Sequence, residues 1–180
     1  TNTITIKQEA GALDVKAAAT ILASNETTAT PSYTIKTAVG GTSVITPLTG
    51  SDKFTTGTGW LSIASSDELS GKLTIEANHT SSNRTQDVTA TVGSSSGSVT
   101  FTQLAEAPTI TFASDKFTVS HSEISGSLEG WTVTVTKDGS TATDSDYSIN
   151  GAEITLQQSG EFTVTVSKND ATATESGTKS

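Results

Sequence analysis

The residues with catalytic potential in this 180-residue chain are few. His79 and His121 are its two histidines, and imidazole is the usual general base near neutral pH and a frequent zinc ligand. Neither has a second candidate ligand at a recognised spacing, and the chain contains no cysteine. Serine is too abundant for a Ser–His–Asp arrangement to be informative, and no G-x-S-x-G motif occurs. The sequence therefore predicts no catalytic residue, no metal site and no cofactor, and we expect the protein not to be an enzyme.

Two carboxylate pairs need a separate interpretation. Asp67 and Glu68 lie in a polar stretch, where both side chains are expected to be solvated. Asp144 and Asp146 begin the stretch "DSDYSING", which starts like a calcium loop. It lacks the glycine at the sixth position and the bidentate glutamate at the twelfth. Acidic turns of this type are common without metal, so a turn is the favoured interpretation.

Aromatic side chains are the candidates for binding, because the face of a sugar ring stacks on an aromatic ring. Trp60 follows the glycine-rich run "TGTG" (56–59), which would hold the indole at a loop edge. The alternative is that Trp60 covers one end of a hydrophobic core. Tyr33 is a second candidate for glycan binding and Tyr147 a third, with the alternative that each is a half-buried strand residue.

A polar segment, Asn78 to Arg84, lies between two stretches of alternating apolar residues. It could form a site or simply turn the chain. Asn78 can close a turn through its side-chain amide, and Arg84 can lay its stem over the end of a sheet. We interpret the segment as structural, with His79 in solvent.

The composition excludes several classes of partner. Thr and Ser make up 62 of the 180 residues, and hydrophobic residues only 32%. Thr favours strands, and a small apolar fraction predicts thin cores, as in a two-sheet sandwich. The formal net charge of −9 leaves no basic patch, so we expect neither nucleic-acid binding nor attraction to anionic membranes. No apolar run is long enough to insert into a membrane.

Short stretches of alternating residues recur at roughly ten-residue spacing with turn residues between them, a pattern typical of antiparallel sandwiches. They cover 3–8, 33–38, 42–46, 60–64, 72–77, 85–92, 98–104, 109–113, 116–120, 131–137, 152–156 and 161–168. The run "GSSSGS" (93–98) is expected to be a turn. The Ala-rich segment 12–24 has both helical and strand periodicity, and we favour a strand. The predicted fold class is all-β, with two immunoglobulin-like antiparallel β-sandwiches in tandem.

The boundary between the two predicted domains lies near Pro108, giving domains at 1–105 and 106–180. Residues 3–13 resemble residues 98–108, with Gln8 and Gln103 aligned, which suggests that the chain was cut from a longer array. The second domain looks incomplete: after the strand that ends at Lys168, the tail reads as a hairpin whose return strand is short or missing.

One family resemblance follows from the motifs "GWLSIASS", "GKLTIEANHTSSNRTQDVTATV" and "GSVTFTQ". They resemble the BACON domain, a bacterial immunoglobulin-like module common in gut Bacteroidetes. Trp60 matches the start of the family pattern, Asn78 the end of its next strand, Arg84-Thr85 the following position and Gln103 the last. The resemblance covers about 55–105 well and 1–54 weakly, and an early tryptophan frequent in the family is missing. The second domain resembles generic bacterial immunoglobulin-like repeats only in its pattern.

The resemblance implies an extracellular or cell-surface module, because such domains often accompany glycan-degrading enzymes. Two functions stay open. The first is a non-catalytic module that attaches to glycans, such as mucin or polysaccharide, or spaces a larger assembly. The second is a bacteriophage virion protein, located on the virion surface, which acts by contacts with neighbouring domains or subunits through edge strands or its N-terminal strand. A first residue compatible with a trimmed Met, and no visible export signal, favour the second function if the chain begins at its natural start.

Overall fold

The computed structural model describes residues 13–37 and 47–180. The strands expected at 3–8 and 42–46, and the repeat that includes Gln8, lie outside these residues. Within the described ranges the regular structure is β-strand, apart from one 3₁₀ turn at Ser65–Asp67. The predicted all-β class with antiparallel sheets is confirmed.

The described residues form two compact units. Unit 1 holds the described residues that precede Asn78, together with Thr85–Gln103. Unit 2 holds Asn78–Arg84 and Leu104–Ser180. The expected division into 1–105 and 106–180 stays a prediction about independent domains. The compact units differ from it because the polar segment 78–84 belongs to unit 2.

The described residues of unit 1 form nine strands. They are β1 (Leu13–Ala17), β2 (Ile21–Leu22), β3 (Thr28–Ala29), β4 (Tyr33–Thr37), β5 (Lys53–Thr56), β6 (Leu61–Ser62), β7 (Leu73–Ile75), β8 (Arg84–Val92) and β9 (Ser95–Gln103). Of these, β8 begins at Arg84, the last residue of the segment assigned to unit 2. One sheet has the order β2-β9-β8-β5, with β2 parallel to β9, and the other pairings are β1-β4 and β3-β7-β6. Strands β3 and β4 flank Pro31, which has no N–H to donate to a ladder, so the pairing is interrupted there.

The Ala-rich segment forms strands, as predicted, at β1 and β2. Leu13 and Val15 point into the core, while Asp14 and Lys16 are exposed. The segment has both a strand-like and a helix-like spacing of apolar residues, and the strand-like spacing matches the structure. Antiparallel pairing with β4 buries one face of β1, which requires apolar residues at every second position.

The core of unit 1 is built from alternating residues of facing strands. Val88 and Ala90 of β8, Leu73 of β7 and Phe101 of β9 are each 0% exposed. Burial of one such large aliphatic or aromatic side chain is worth about 1.5–3 kcal/mol. The outward-facing positions are largely Thr and Ser, which bury little apolar surface. The buried side chains between the sheets therefore supply most of the hydrophobic stabilisation of unit 1.

Unit 2 contains eight strands. They are β10 (Thr109–Ala113), β11 (Lys116–Ser120), β12 (Thr132–Lys137), β13 (Ser140–Thr141), β14 (Tyr147–Asn150), β15 (Glu153–Leu156), β16 (Gly160–Lys168) and β17 (Ala171–Lys179). The two sheets have the orders β10-β11-β15-β14 and β13-β12-β16-β17. If the strands are lettered A, B, C, C′, D, E, F and G along the chain, these orders are A-B-E-D and C′-C-F-G, which is the immunoglobulin arrangement.

The core of unit 2 follows the predicted alternation. Phe162, Val164 and Val166 of β16 are each 0% exposed, and Trp131 is 8% exposed. Val133 is half-buried and packs against the same cluster. These side chains of β12 and β16 and Trp131 lie in one continuous core.

The tail of unit 2 corrects one expectation. The return strand expected to be short or missing is β17, which pairs with all nine residues of β16. Asn169 takes a φ of 50° in the turn between them, a conformation that Asn tolerates. The strand is difficult to predict from the sequence because its core-side positions carry small or charged residues and not large apolar ones. These positions include Ala173, Glu175 and Gly177.

The expected turn at 93–98 is also corrected. Only Gly93 and Ser94 form the turn, and β9 begins at Ser95. Gly97 lies within the strand, where an added Cβ would be 2.2 Å from the carbonyl oxygen of Leu13 and 2.9 Å from Cγ2 of Val15. This glycine therefore allows β1 to pass close to β9 and does not break the strand.

Candidate functional site

Trp60 lies in the core of unit 1 and not at an exposed loop edge. Its side chain is 8% exposed and belongs to the hydrophobic cluster. The indole therefore presents little surface to a ligand in this structure, and sugar stacking on Trp60 stays a prediction. The alternative, a Trp that covers part of the core, describes its placement.

The side chain of Gln86 holds the glycine-rich run that precedes Trp60. Its Oε1 accepts a hydrogen bond from the N–H of Leu61 at 2.9 Å, and its Nε2 donates to the carbonyl oxygens of Gly57 and Leu61. An added Cβ at Gly59 would lie 2.3 Å from Oε1 of Gln86. The run "TGTG" is thus fastened to β8 by one amide, a role that the sequence does not reveal.

Tyr33 is likewise internal. It is 5% exposed, and its hydroxyl donates a hydrogen bond to the carbonyl oxygen of Gly71 at 3.1 Å. Its ring lies 4.2 Å from the ring of Phe54, centroid to centroid. Burial raises the pKa of Tyr33 above its usual range.

Tyr33 also borders a cavity of about 290 Å³ within unit 1. The described lining residues are neutral and mostly apolar: Thr30, Pro31, Ser32, Tyr33, Pro47, Leu48, Phe54, Leu69 and Ser70. Leu69 is 44% exposed. The cavity has no charged residue among these, so it offers only hydroxyl and backbone groups for hydrogen bonding to a ligand.

None of the nine aromatic side chains is exposed, and all nine lie within the described residues. Tyr147, the third sugar-binding candidate, is half-buried on β14 and packs against the core of unit 2. Phe112 is half-buried as well, and its ring centroid lies 4.6 Å from that of Phe117. Each of the nine rings therefore offers at most part of its surface to a sugar.

Asn78 organises the polar segment through its side-chain amide. It is 1% exposed, and its Nδ2 donates to the carbonyl oxygens of Ser82 and Leu104, each at 2.9 Å. Its Oδ1 accepts from the backbone N–H and the hydroxyl of Thr80. All four hydrogen-bonding positions of the amide are thereby used.

The other residues of the resemblance motif lie in strands. Arg84 begins β8 and is half-buried, and Thr85 follows it on the exposed side. Gln103 ends β9 and is 0% exposed. Its Nε2 donates to the carbonyl oxygens of Ala23 and Ser24, at 3.2 and 3.1 Å. Gln103 thereby holds the loop after β2.

Ser81 and Glu123 form a charge-assisted contact in unit 2 that sequence reasoning missed. The N–H and hydroxyl of Ser81 donate to the two carboxylate oxygens of Glu123, each at 2.9 Å. Lys168 forms an ion pair with the same carboxylate at 2.9 Å. Hydrogen bonds from Lys168 and Ser81 lower the pKa of Glu123 from 4.5 to about 2.

Both histidines lie beside the carboxylate of Glu106. Nδ1 of His79, which is 66% exposed, is 3.4 Å from Oε2 of Glu106. Nε2 of His121, whose side chain is 0% exposed, lies 3.0 Å from the Glu106 carbonyl oxygen. The N–H of Glu123 donates to Nδ1 of His121, and the hydroxyl of Ser122 donates to the carbonyl oxygen of His79. A serine nucleophile would need a hydrogen bond to an imidazole base. The hydroxyl of Ser122 donates to a backbone carbonyl oxygen instead.

Asp146 closes the acidic turn, as expected. Its carboxylate accepts from the N–H and the hydroxyl of Thr143, at 2.8 and 2.7 Å, and from Lys137 at 3.0 Å. Hydrogen bonds from Thr143 and Lys137 lower the pKa of Asp146 to about 2. Over the described residues, no group of three or more His, Asp or Glu side chains is placed to hold a metal ion.

The described part of the chain contains no helix with the length and apolar character needed to cross a membrane.

No protein-family model matches this chain, and no curated protein matches it. Among solved structures, the extracellular domains 3–5 of Drosophila OTK align over 92% of this chain, with 9% identity and a TM-score of 0.43. Sidekick-1 immunoglobulin domains 1–4 align over 97%, with 9% identity and a TM-score of 0.41. Domains 1–6 of the surface-layer protein SbsC align over 93%, with 14% identity and a TM-score of 0.38.

This chain covers 61%, 50% and 28% of those three chains, respectively, which is less than two thirds of each. Identities and TM-scores this low carry no argument about function. The immunoglobulin-like assignment rests on the strand order of this chain itself.

Proposed function

We propose that this chain is a non-catalytic immunoglobulin-like module that spaces or joins parts of a larger surface assembly through protein–protein contacts. The observation that carries this proposal is the burial or half-burial of all nine aromatic side chains. A module that recognises sugars by stacking needs an exposed ring, whereas a spacer needs its rings in its cores.

The outer face of the β12-β16-β17 sheet supports a structural role. Thr134, Thr165 and Thr174 stand in register across the three strands, and the hydroxyls of Thr165 and Thr174 are 2.9 Å apart. The neighbouring pair Thr163 and Ser176 are 2.8 Å apart. Such cross-strand hydroxyl pairs stabilise a sheet and keep this part of its outer face wettable.

Attachment to glycans is the alternative. Its two designated residues, Trp60 and Tyr33, are internal, and the cavity beside Tyr33 is the feature that supports it. A sugar held there would depend on the hydroxyls of Ser32, Ser70 and Thr30, with no charged partner among the described lining residues.

The resemblance to BACON domains supports an extracellular or cell-surface location, with a virion surface as the alternative. Both places suit the proposal, because in each the module contacts neighbouring domains or subunits. The sequence upstream of Thr1 and the neighbouring genes separate them: an export signal or a glycoside hydrolase indicates a cell surface, and a capsid gene indicates a virion.

A glycan microarray of mucin and plant polysaccharides tests the proposal directly. We expect no retention of the purified chain, while amine-reactive cross-linking of the intact source material joins the chain to structural neighbours. Specific retention on one glycan class, reduced by Ser70→Ala at the cavity and unchanged by Ser96→Ala on an exposed strand position, would overturn the spacer proposal in favour of glycan attachment.

A further inference from the structure

The segment Asn78–Arg84, here called the strap, belongs to unit 2 although both of its neighbours in the chain belong to unit 1. Strand β7 precedes it, and β8 begins at its last residue, Arg84. The chain therefore passes between the units three times, after Ala77, after Arg84 and after Gln103. A linear tandem of two independent domains would need a single passage.

The first attachment of the strap is the carboxylate of Glu123. It accepts two hydrogen bonds from Ser81, one from the backbone N–H and one from the hydroxyl. Lys168 neutralises the same carboxylate at 2.9 Å, so the charge is paired on one side and hydrogen-bonded on the other. Hydrogen bonds to a charged group are stronger than those between neutral groups.

The second attachment is the turn between β16 and β17. Asn169 donates from Nδ2 to the hydroxyl oxygen of Ser81 at 2.9 Å. The N–H groups of Asp170 and Ala171 both donate to the carbonyl oxygen of Ser81, at 3.0 and 3.1 Å. The N–H of Asn83 donates to the carboxylate of Asp170 at 2.9 Å.

The third attachment is to residues 104–106, which follow β9 and belong to unit 2. The side chain of Asn78 donates to the carbonyl oxygen of Leu104, and that of Asn83 accepts from the N–H of Ala105 at 2.7 Å. The N–H of Glu106 donates to the carbonyl oxygen of Thr80 at 3.0 Å.

Ser81 is the centre of these attachments and is 1% exposed. Its N–H, hydroxyl and carbonyl groups all bond to unit 2 residues outside the strap. If the strap is released without unfolding of unit 2, the carboxylate of Glu123 and the N–H groups of the β16–β17 turn lose these partners. Release therefore gives up hydrogen bonds made by Ser81 and Ala171, which are 1% and 2% exposed.

We propose that the strap couples the unfolding of the two units into one transition. When unit 1 unfolds, β7 and β8 lose their order and the strap gains conformational freedom at both ends, which opposes its attachment. When unit 2 unfolds, the strap loses the partners of Ser81. The hydrogen bonds of the strap thus stabilise both units, because they are lost when either unit unfolds. This coupling is independent of any external partner of the module.

The two tryptophans provide one reporter in each unit. Trp60 belongs to the core of unit 1 and Trp131 to the core of unit 2. Fluorotryptophan incorporated into the full chain gives one fluorine resonance for each core without any mutation. A urea titration followed by fluorine NMR then gives two unfolding midpoints from the same sample.

We expect coincident midpoints in the unmodified chain. In Ser81→Ala, and in the milder Glu123→Gln, the midpoint of the Trp131 resonance is expected to shift to lower urea than that of Trp60. Glu129→Gln, which removes the charge of an exposed carboxylate in the same unit, is expected to leave the midpoints coincident.

Two results would overturn the inference. One is a pair of separate midpoints in the unmodified chain, because the units would then unfold independently with the strap intact. The other is coincident midpoints in both Ser81→Ala and Glu123→Gln, because the attachments of Ser81 would then not be the coupling element.

Discussion

At the scale of single residues, polar side chains decide the local structure wherever a loop must be held. Glu123 binds Ser81 and Lys168, Gln86 binds the glycine-rich run before β6, and Gln103 binds the loop after β2. Each of these side chains joins positions that are distant in the sequence. A pattern of alternating apolar residues contains no information about such partners.

The depressed pKa of Glu123 predicts a specific acid sensitivity. Its pKa is about 2 in the folded chain against 4.5 for an ordinary Glu, so the unfolded chain binds the proton more tightly. The stabilising contribution is present above pH 4.5 and is lost as the pH falls towards 2. Glu123→Gln should therefore reduce the fall in the free energy of unfolding across this window, measured by urea titrations at stepped pH.

Glu129→Gln is the matched control for that measurement, because its carboxylate is exposed in the same unit. It should leave the pH dependence close to that of the unmodified chain. An unchanged acid dependence in Glu123→Gln would mean that the contacts with Lys168 and Ser81 do not hold this carboxylate in its charged form.

At the scale of elements, strand edges and close strand approaches limit what each position accepts. Edge strand β17 points Glu175 to the core side of its sheet, where it stays exposed. An inward-pointing charge on an edge strand discourages pairing with another chain. Gly177 of the same strand lies under the ring of Phe112, with 2.4 Å between an added Cβ and the ring.

Gly97→Ala should destabilise unit 1. The added methyl group would meet the backbone carbonyl of Leu13 at 2.2 Å, so β1 or β9 must move. Overpacking of this kind costs about 1–3 kcal/mol. The expected result is a lower unfolding midpoint in urea, detected at Trp60. Ser96→Ala, at the neighbouring exposed position, should have little effect; an equal effect in both variants would argue against this close approach of β1 and β9.

The strands that could be predicted from the sequence are those whose inward residues are large. The segments around Val88, Phe101, Phe117 and Val164 alternate strongly, and each lies in a strand where it was expected. Strand β17 was not predicted because alanine, glutamate and glycine occupy its core-side positions. Strands β3 and β13, with two residues each, are too short for a period of two to appear.

At the scale of the whole molecule, the sequence is informative about the class of fold and much less so about the site. Residue type makes Trp60 and Tyr33 the candidate rings, but both are buried. No local pattern connects Leu61, the neighbour of Trp60, to Gln86, or Tyr33 to Gly71. The polar segment was interpreted as a turn of the first domain, whereas its partners lie some forty or ninety residues further along the chain.

The overall charge predicts the solution behaviour of the molecule. A net charge of −9 at pH 7 should keep copies apart, while near the sequence pI of 4.5 that repulsion vanishes. Light scattering should therefore show single chains at pH 7 and increasing association as the pH approaches 4.5. Equally strong association at pH 7 would indicate a specific self-contact, which the net charge does not favour.

The strap also bears on how such a chain can be rearranged in evolution. A recombination breakpoint near Pro108 would carry β10 to β17 into a new gene without Ser81 and Asn83. Glu123 and Asp170 would then lose the hydrogen bonds that they accept from these two residues. The inherited piece would expose a charged, hydrogen-bonding surface adapted to a loop left behind. Natural shuffling should therefore favour transfer of the two sandwiches as a single cassette, with breakpoints before β1 or after β17.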